Sequence, residues 1–169
     1  ANTWASLGGA YADQGNLPVA LGNYFSAIKI YTEIGDKLGI AFVQIGQGYI
    51  YGIQGNNIEA INHFHAALKT YIEIGYKRGV LVAHSNLSAI YLQEKNFPEA
   101  IKHQNLSRKI SNEIGDKQGI ADAEFALGDI YQGQGNYTEA LKNLHLALSL
   151  YDEIKYKKGS ARSHVQIGI

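Results

Sequence analysis

The sequence predicts an all-α protein built from repeated pairs of helices, and three observations support this. The first is a period of 40 residues that holds along the whole chain, as in Tyr11, Tyr51, Tyr91 and Tyr131. The second is apolar spacing of i, i+3, i+4 and i+7 in two segments of every period, which is the pattern of an amphipathic helix. The third is a set of helix start and stop signals at the junctions. A fixed period in this range indicates one small unit stacked on copies of itself.

The period divides the 169 residues into four full units and the start of a fifth. We place them at about 1–36, 37–76, 77–116, 117–156 and 157–169, in one continuous array. In the second unit, the spacing predicts helix A over roughly 37–54 and helix B over roughly 57–74. The chain has no methionine and its last residue, Ile169, falls inside a repeat, so we expect a piece of a longer protein.

The junctions between the helices carry capping signals. Asparagine recurs before helix B with glutamate three residues later, which is the spacing of a capping box, at Asn56/Glu59, Asn96/Glu99 and Asn136/Glu139. Helix B ends in Ile-Gly in the first three units, where glycine suits a left-handed residue. Asp36 and Asp116 then stand ready to cap the next helix A. The fourth unit has Lys155 instead of glycine, so we expect a differently built turn there.

Small residues recur where helices A and B of one unit must approach each other closely. They are Gly8, Gly48, Ser88, Gly128 and Gly168 on helix A, and Ala20, Ala60, Ala100 and Ala140 on helix B. Glycine inside a helix costs about 1 kcal/mol relative to alanine. A packing gain must therefore offset that cost, and a large side chain at either place would push the two helices apart.

These recurring residues resemble the signature of the tetratricopeptide repeat. The first unit carries it as Trp4, Leu7, Gly8, Tyr11, Ala20, Tyr24 and Ala27. The second and fourth units repeat it, and the third keeps Leu87, Tyr91 and Ala100. The long period and the segments 33–41 and 113–121 resemble the long-helix subclass found in Pins-type scaffolds, kinesin light chains and bacterial regulators. The resemblance implies a right-handed α-α superhelix that binds a protein or peptide on a concave wall of A helices.

The same resemblance places a candidate binding groove on the A helices. We expect its N-terminal half to be apolar, at Phe42, Ile45, Tyr49 and Ile53. The remaining predicted groove residues are mostly polar or acidic: Ser85, Asn86, Ala89, Gln93, Asp122, Phe125, Asp129 and Gln132. Phe42, Tyr49 and Phe125 either anchor a peptide, as aromatic residues do at interface hot spots, or pack against the neighbouring helix.

The predicted groove also indicates how a ligand is held. Family members that clamp a C-terminal carboxylate carry Lys, Arg and Asn in the groove. This chain has Ala5, Gly9, Gly46 and Val82 at such places. We therefore expect no carboxylate clamp. Apolar side chains of an extended segment would instead enter between the aromatic residues, and its backbone amides would be held by Asn86, Gln93 and Gln132.

Helix B of the third unit departs from the repeat. Its residues Gln104, Ser107, Arg108 and Ser111 replace residues that are apolar or small in the other units. One interpretation is a polar contact point centred on Arg108. The other, which we favour, is a weakly packed helix whose apolar stripe has shifted to Leu106, Ile110 and Ile114.

Composition argues against several classes of function. Lys plus Arg and Asp plus Glu number 15 each, so the net charge of zero favours neither nucleic acid nor an anionic membrane as partner. There is no cysteine, which fits a cytoplasmic location, and no two of the six histidines form the i, i+4 pair of a helical zinc site. We expect no cofactor, no metal and no catalytic site.

The leading prediction is a non-catalytic scaffold module that binds a protein or peptide segment, either of a partner or of its own chain. One alternative is a regulatory or sensory segment of a larger signalling enzyme or transcription regulator. Another is a module that self-associates into a homo-oligomer through exposed terminal repeats, because Trp4 and the fifth unit are not covered by polar capping helices.

Overall fold

The computed structural model describes residues 1–168, which form nine α-helices and no strand. The helices are α1 (Asn2–Asp13), α2 (Leu17–Glu33), α3 (Lys37–Ile53), α4 (Asn57–Glu73), α5 (Lys77–Gln93), α6 (Phe97–Ile114), α7 (Lys117–Gln134), α8 (Tyr137–Glu153) and α9 (Lys157–Ile167). Odd-numbered helices are the predicted A helices and even-numbered helices the B helices. The bounds of α3 and α4 lie within one residue of those predicted from the sequence. Ile169, in the predicted fifth unit, lies outside the described residues.

The chain forms two compact units, Ala1–Asn86 and Leu87–Ile169, and the boundary falls inside α5. In the first unit, α1 packs on α2 and α3, α2 packs on α3, and α3 packs on α4. In the second, α6 packs on α7, α7 on α8, and α8 on α9. One continuous array over residues 1–169 stays a prediction.

The small residues allow the close approach of A and B helices that the sequence predicts. A β-carbon at Gly48 would lie 2.6 Å from the ring of Phe64, and one at Gly128 would lie 2.6 Å from Cγ of Leu144. Both distances are shorter than any real contact of this kind, so the bulky residue of helix B occupies the space that glycine leaves. The packing gain offsets the poor helix propensity of glycine.

The predicted caps are formed at five of the helix starts that the sequence singles out. The side chains of Asp36, Asn56, Asn96, Asp116 and Asn136 each accept a hydrogen bond from the backbone N–H three residues later, at 2.9–3.5 Å. Each bond satisfies one of the orphan donors of a helix N-terminus. Asn16 precedes α2 at the equivalent position and makes no such bond.

The turn after α8 corrects a prediction. Lys155 adopts φ 57°, close to the φ of 69–72° at Gly35, Gly75 and Gly115. The N–H of Tyr156 then donates to the carbonyl of Tyr151 at 2.8 Å, as Asp36 does to Tyr31 at 2.9 Å. The expectation of a differently built turn is wrong. The turn joins α8 and α9, which pack against each other, and this packing fixes its length and direction. Lysine therefore takes the left-handed conformation despite its steric cost.

Helix α6 corrects a second prediction. Gln104, Ser107 and Ser111 are buried, whereas Leu106 and Ile114 are exposed. The apolar stripe has therefore not shifted. The polar residues occupy the buried positions that Leu144, Ala147 and Tyr151 hold in α8.

Candidate functional site

One side of α3 carries a row of exposed apolar residues. Phe42, Tyr49 and Ile53 are 53%, 54% and 53% exposed, and Ile45 between them is half-buried. Spacing of three, four and four residues keeps all four on one side of the helix. The structure therefore brings together the apolar part of the predicted groove. We call the side of the odd-numbered helices that carries the predicted groove residues the A-helix face.

A cavity of about 500 Å³ lies beside this row in the first unit. Its walls are Asn2, Ala5 and Ser6 of α1, Tyr24 and Tyr31 of α2, and Phe42 and Val43 of α3. Tyr31 donates its hydroxyl to Oδ1 of Asn2 at 2.7 Å. Burial, with a smaller contribution from Asp36, raises the pKa of Tyr31, so this hydroxyl stays a donor at neutral pH.

Gly46 explains how Tyr24 reaches the A-helix face. A β-carbon at Gly46 would lie 2.5 Å from Cζ of Tyr24 and 2.6 Å from its hydroxyl oxygen. Any larger residue would displace the tyrosine ring. In the sequence, Gly46 stands where a carboxylate clamp would need a polar residue. In the structure, its missing side chain leaves room for Tyr24, a helix B residue that lines the cavity.

The ring of Phe42 is packed on one edge and exposed on the rest. Its centroid lies 6.0 Å from that of Tyr71 in an edge-on arrangement and 6.1 Å from that of Tyr76. Burial raises the pKa of Tyr71 to about 12, with a smaller effect of Tyr76. Phe42 therefore combines the two alternatives left by the sequence, because it is held by aromatic neighbours and still presents half of its surface.

The predicted groove residues of α5 differ in their surroundings. Asn86 donates its side-chain amide to the carbonyl of Val82 in its own helix at 2.8 Å. That amide is therefore engaged and does not point to a ligand backbone in this state. Ala89 and Gln93 are exposed, and Ser85 is half-buried.

Phe125 lies in a second cavity, of about 470 Å³, between α7 and α9. The phenylalanine is only 6% exposed, and the guanidinium of Arg162 stands 4.3 Å from its ring centroid. Such a contact is a cation–π interaction. Phe125 is thus a packed residue that Arg162 covers. Val165, which also lines this cavity, is 80% exposed.

The acidic part of the predicted groove is more constrained than the sequence suggests. Asp122 accepts a hydrogen bond from the hydroxyl of Tyr151 at 2.6 Å. Burial raises the pKa of Asp129 to about 6, and nearby Arg162 lowers it by less. Gln132 accepts a hydrogen bond from Nε2 of Gln166. One carboxylate is therefore already bonded, the other is partly protonated near pH 6, and the glutamine is paired.

A contact between helices A and B of one unit recurs that the sequence did not predict. A residue of helix A contacts the tyrosine 29 residues later on helix B in the pairs Asn2–Tyr31, Phe42–Tyr71 and Asp122–Tyr151. Phe42 and Asp122 belong to the predicted groove. The recurrence of tyrosine at 31, 71 and 151 was the available signal. This groove position is therefore partly determined by the tyrosine beneath it.

A sequence profile identifies the family to which this fold belongs. The profile of the tetratricopeptide repeat matches residues 40–113 and again 79–153, which together span more than half of the chain. The chain belongs to the tetratricopeptide repeat family. No protein with a curated description matches the sequence.

Several solved structures have the same fold as this chain. The apo form of RapI is 19% identical with a TM-score of 0.86, covering 98% of this chain and 61% of that chain. Aspartyl phosphate phosphatase F from Bacillus subtilis is 17% identical with a TM-score of 0.88, covering 97% and 43%. A Rap protein complexed with Competence and Sporulation Factor is 16% identical with a TM-score of 0.83, covering 97% and 46%.

These similarities confirm the predicted all-α tetratricopeptide fold. At such identities they show the fold alone. The chain spans 43–61% of the length of these three structures.

An ion pair joins the third tetratricopeptide unit to the fourth, and the sequence did not predict it. Arg108 of α6 donates from Nη1 to Oε1 of Glu124 of α7 at 3.0 Å. Glu124 is only 4% exposed, so the carboxylate is taken out of water beside the guanidinium. One of the two interpretations of α6 from the sequence was a polar contact point centred on Arg108. That interpretation did not include Glu124 as its partner. The two residues are 16 apart and on different helices, so no local pattern joins them.

Two further properties of residues 1–168 concern other types of site. No helix in that range is both long enough and apolar enough to cross a membrane. The same range contains no group of three or more His, Cys, Asp or Glu residues placed to hold a metal ion.

Proposed function

We propose that this tetratricopeptide repeat protein is a non-catalytic module that binds an extended protein or peptide segment on its A-helix face. The observation that carries the proposal is the row of Phe42, Tyr49 and Ile53, three large apolar side chains half exposed on one side of α3. Exposed apolar patches next to a cavity are typical of interaction sites. Phe42 also forms part of the wall of the cavity of about 500 Å³.

The contacts favour particular residues as anchors. Tyr49 and Ile53 have more than half of their surface in water, so covering them with an apolar ligand side chain gains free energy. Phe42 is held by Tyr71 and Tyr76, so little rotamer entropy is lost when a ligand covers it. We therefore assign the anchoring to α3 and give Phe125 and Asn86 a structural role.

Two further observations support a peptide as the ligand. The family consists of helical repeats that contact only their neighbours and present extended surfaces. One solved structure with the same fold is a Rap protein complexed with Competence and Sporulation Factor. The ligand that we propose is a segment with at least two apolar side chains spaced to reach Phe42 and Tyr49.

The experiment uses peptides selected from a random display library on the wild-type protein. Their affinities are then measured by fluorescence polarisation for the Phe42→Ala/Tyr49→Ala variant. We expect a loss of about 30-fold or more, since truncating even one hot-spot aromatic costs about 2 kcal/mol or more and each 1.4 kcal/mol is tenfold.

Phe25→Ala is the matched control, because Phe25 of α2 is 56% exposed but belongs to a B helix. It should leave the affinities unchanged. Circular dichroism checks that all three proteins are folded. Selected peptides that bind the double variant as well as the wild type would show that α3 is not the anchor. So would equal losses in the double variant and the control.

A further inference from the structure

A smaller cavity of about 300 Å³ lies away from the A-helix face, among α6, α7 and α8 of the second unit. Four charged residues contribute to its walls, with Leu127 and Leu146 as apolar neighbours: Arg108, Glu124, Glu139 and Lys142. Nothing in the proposed peptide binding uses this cavity. Its volume is about ten times the volume of a water molecule in the liquid.

The charges in the cavity walls form two ion pairs of opposite exposure. Arg108 pairs with the buried Glu124 at 3.0 Å, and the exposed Lys142 pairs with Glu139 at 3.3 Å. The walls therefore carry two positive and two negative side chains. A ligand with both charges fits such a site better than an ion of one sign, because each end finds an opposite charge.

One buried atom of this site has no hydrogen-bond partner. Oε1 of Glu124 accepts from Arg108, but Oε2 is buried and makes no hydrogen bond within the described residues. Leaving a buried carboxylate oxygen unsatisfied costs free energy, because the oxygen has lost its hydrogen bonds to water and gained none in the protein. Because Oε2 is closed to solvent in this state, a positively charged donor inside the cavity would remove that cost once the Glu124 carboxylate turns Oε2 toward it.

The repeat does not require this arrangement. Residues at the position of Arg108 in the other units are Ile28, Leu68 and Leu148, and those at the position of Glu124 include Gln44, His84 and His164. In the other units, the position of Arg108 is therefore apolar and the position of Glu124 in the next helix A is neutral or weakly basic. The ion pair of Arg108 and Glu124 is a departure that the scaffold does not explain.

We propose that this cavity binds a free α-amino acid with an apolar side chain. Its ammonium group would donate to Glu124, its carboxylate would lie toward Arg108 and Lys142, and its side chain would rest against Leu127 and Leu146. The site is independent of peptide binding on the A-helix face, and no residue is shared between them.

The test titrates the intact chain with L-leucine by isothermal titration calorimetry. N-acetyl-L-leucine, which lacks the ammonium group, and isoamylamine, which lacks the carboxylate, are the matched probes. We expect saturable binding of L-leucine and binding about tenfold weaker or undetectable for both probes, because each lacks one charge-assisted hydrogen bond. Absence of saturable L-leucine binding would overturn the proposal, as would isoamylamine or N-acetyl-L-leucine binding as tightly as L-leucine.

Variants locate the site. Glu124→Gln and Lys142→Ala should each weaken L-leucine binding about tenfold. Lys142 is exposed, so its variant keeps the test valid if Glu124→Gln does not fold. Glu153→Gln removes the exposed partner of Lys117 in the same unit and should leave binding unchanged. Binding that survives both Glu124→Gln and Lys142→Ala would place L-leucine elsewhere and overturn the assignment.

Discussion

Helices α6 and α8 hold the same place in successive repeats, but they bury opposite chemistry. In α8 the buried side includes Leu144, Ala147 and Tyr151, and in α6 the residues 40 positions earlier are Gln104, Ser107 and Ser111. All six are buried. The stacking of the repeat therefore decides which positions are buried. The sequence decides only what fills them.

The residues that contact α6 and α8 differ in the same way as the residues that these two helices bury. Gly128 faces Leu144 with no room for a β-carbon, whereas Ser88 at the equivalent place carries a hydroxyl that donates to the carbonyl of Ala100 at 2.8 Å. Leu148 of α8 corresponds to Arg108 of α6, which pairs with Glu124. The hydroxyls of Ser88 and Ser111 and the guanidinium of Arg108 each donate a hydrogen bond, and such bonds lower the cost of burying polar groups.

The largest expected effect comes from giving α8 a residue of α6. Tyr151→Ser removes a buried ring and the hydrogen bond to Asp122, so we expect the free energy of unfolding to fall by about 3–5 kcal/mol. Urea denaturation followed by circular dichroism measures it. Ser111→Ala is the control in α6: its hydroxyl bonds only to Ser107 of its own helix in the described contacts, and we expect a change within about 1 kcal/mol. Similar costs for the two variants would contradict the comparison.

The next effect tests the ion pair. Arg108→Leu gives α6 the residue of α8 and leaves the buried Glu124 without its partner. We expect a loss of about 3 kcal/mol in stability, at the low end for a buried pair because Arg108 itself is partly exposed. Adding Glu124→Gln should recover most of that loss, because Ile28 and Gln44 are the residues at these positions earlier in the repeat. A double variant as unstable as Arg108→Leu alone would show that the lost packing of arginine, and not the unpaired charge, sets the cost.

A smaller effect tests the match between helices A and B. Gly128→Ser places a β-carbon 2.6 Å from Cγ of the buried Leu144, and overpacking of this kind costs about 1–2 kcal/mol. In a Leu144→Gln background, which copies the Ser88 and Gln104 pair, the same substitution should cost less. Thermal denaturation of the four proteins of this double-mutant cycle gives the coupling. Equal costs in both backgrounds would mean that the side chain on α8 does not determine whether serine fits.

The smallest effect concerns the turns that end the two helices. Gly115 follows α6 and Lys155 stands at the same place after α8, both with positive φ. Lys155→Gly should raise the free energy of unfolding by about 0.5–1 kcal/mol. It relieves about 1–2 kcal/mol of left-handed strain, and the greater freedom of glycine in the unfolded chain offsets part of this. A lower unfolding midpoint for Lys155→Gly in urea would show that the lysine side chain makes a compensating contact.

Local patterns predicted the helices and their caps because these depend on residues close in sequence. The spacing in the second unit predicted α3 and α4 within one residue of their bounds, and Asp36 and Asn56 cap as expected. The candidate site was predicted less well. Phe42, Tyr49 and Ile53 stand exposed on α3, but Phe125 shares the same periodic face and lies buried under Arg162. The apolar period of a helix shows which side a residue is on. It cannot show that a side chain of another helix, here Arg162, covers that residue.

By itself, the sequence determined the 40-residue unit, its two helices, the small residues between them and the membership of the tetratricopeptide repeat family. These features follow from propensity, apolar period and capping, which act over a few residues and recur in every unit. The tertiary structure alone decided that α6 buries its polar residues, that Glu124 pairs with Arg108, and that Lys155 takes a left-handed turn. Those outcomes depend on contacts between different helices, where burial imposed by packing overrides the preference of a single residue.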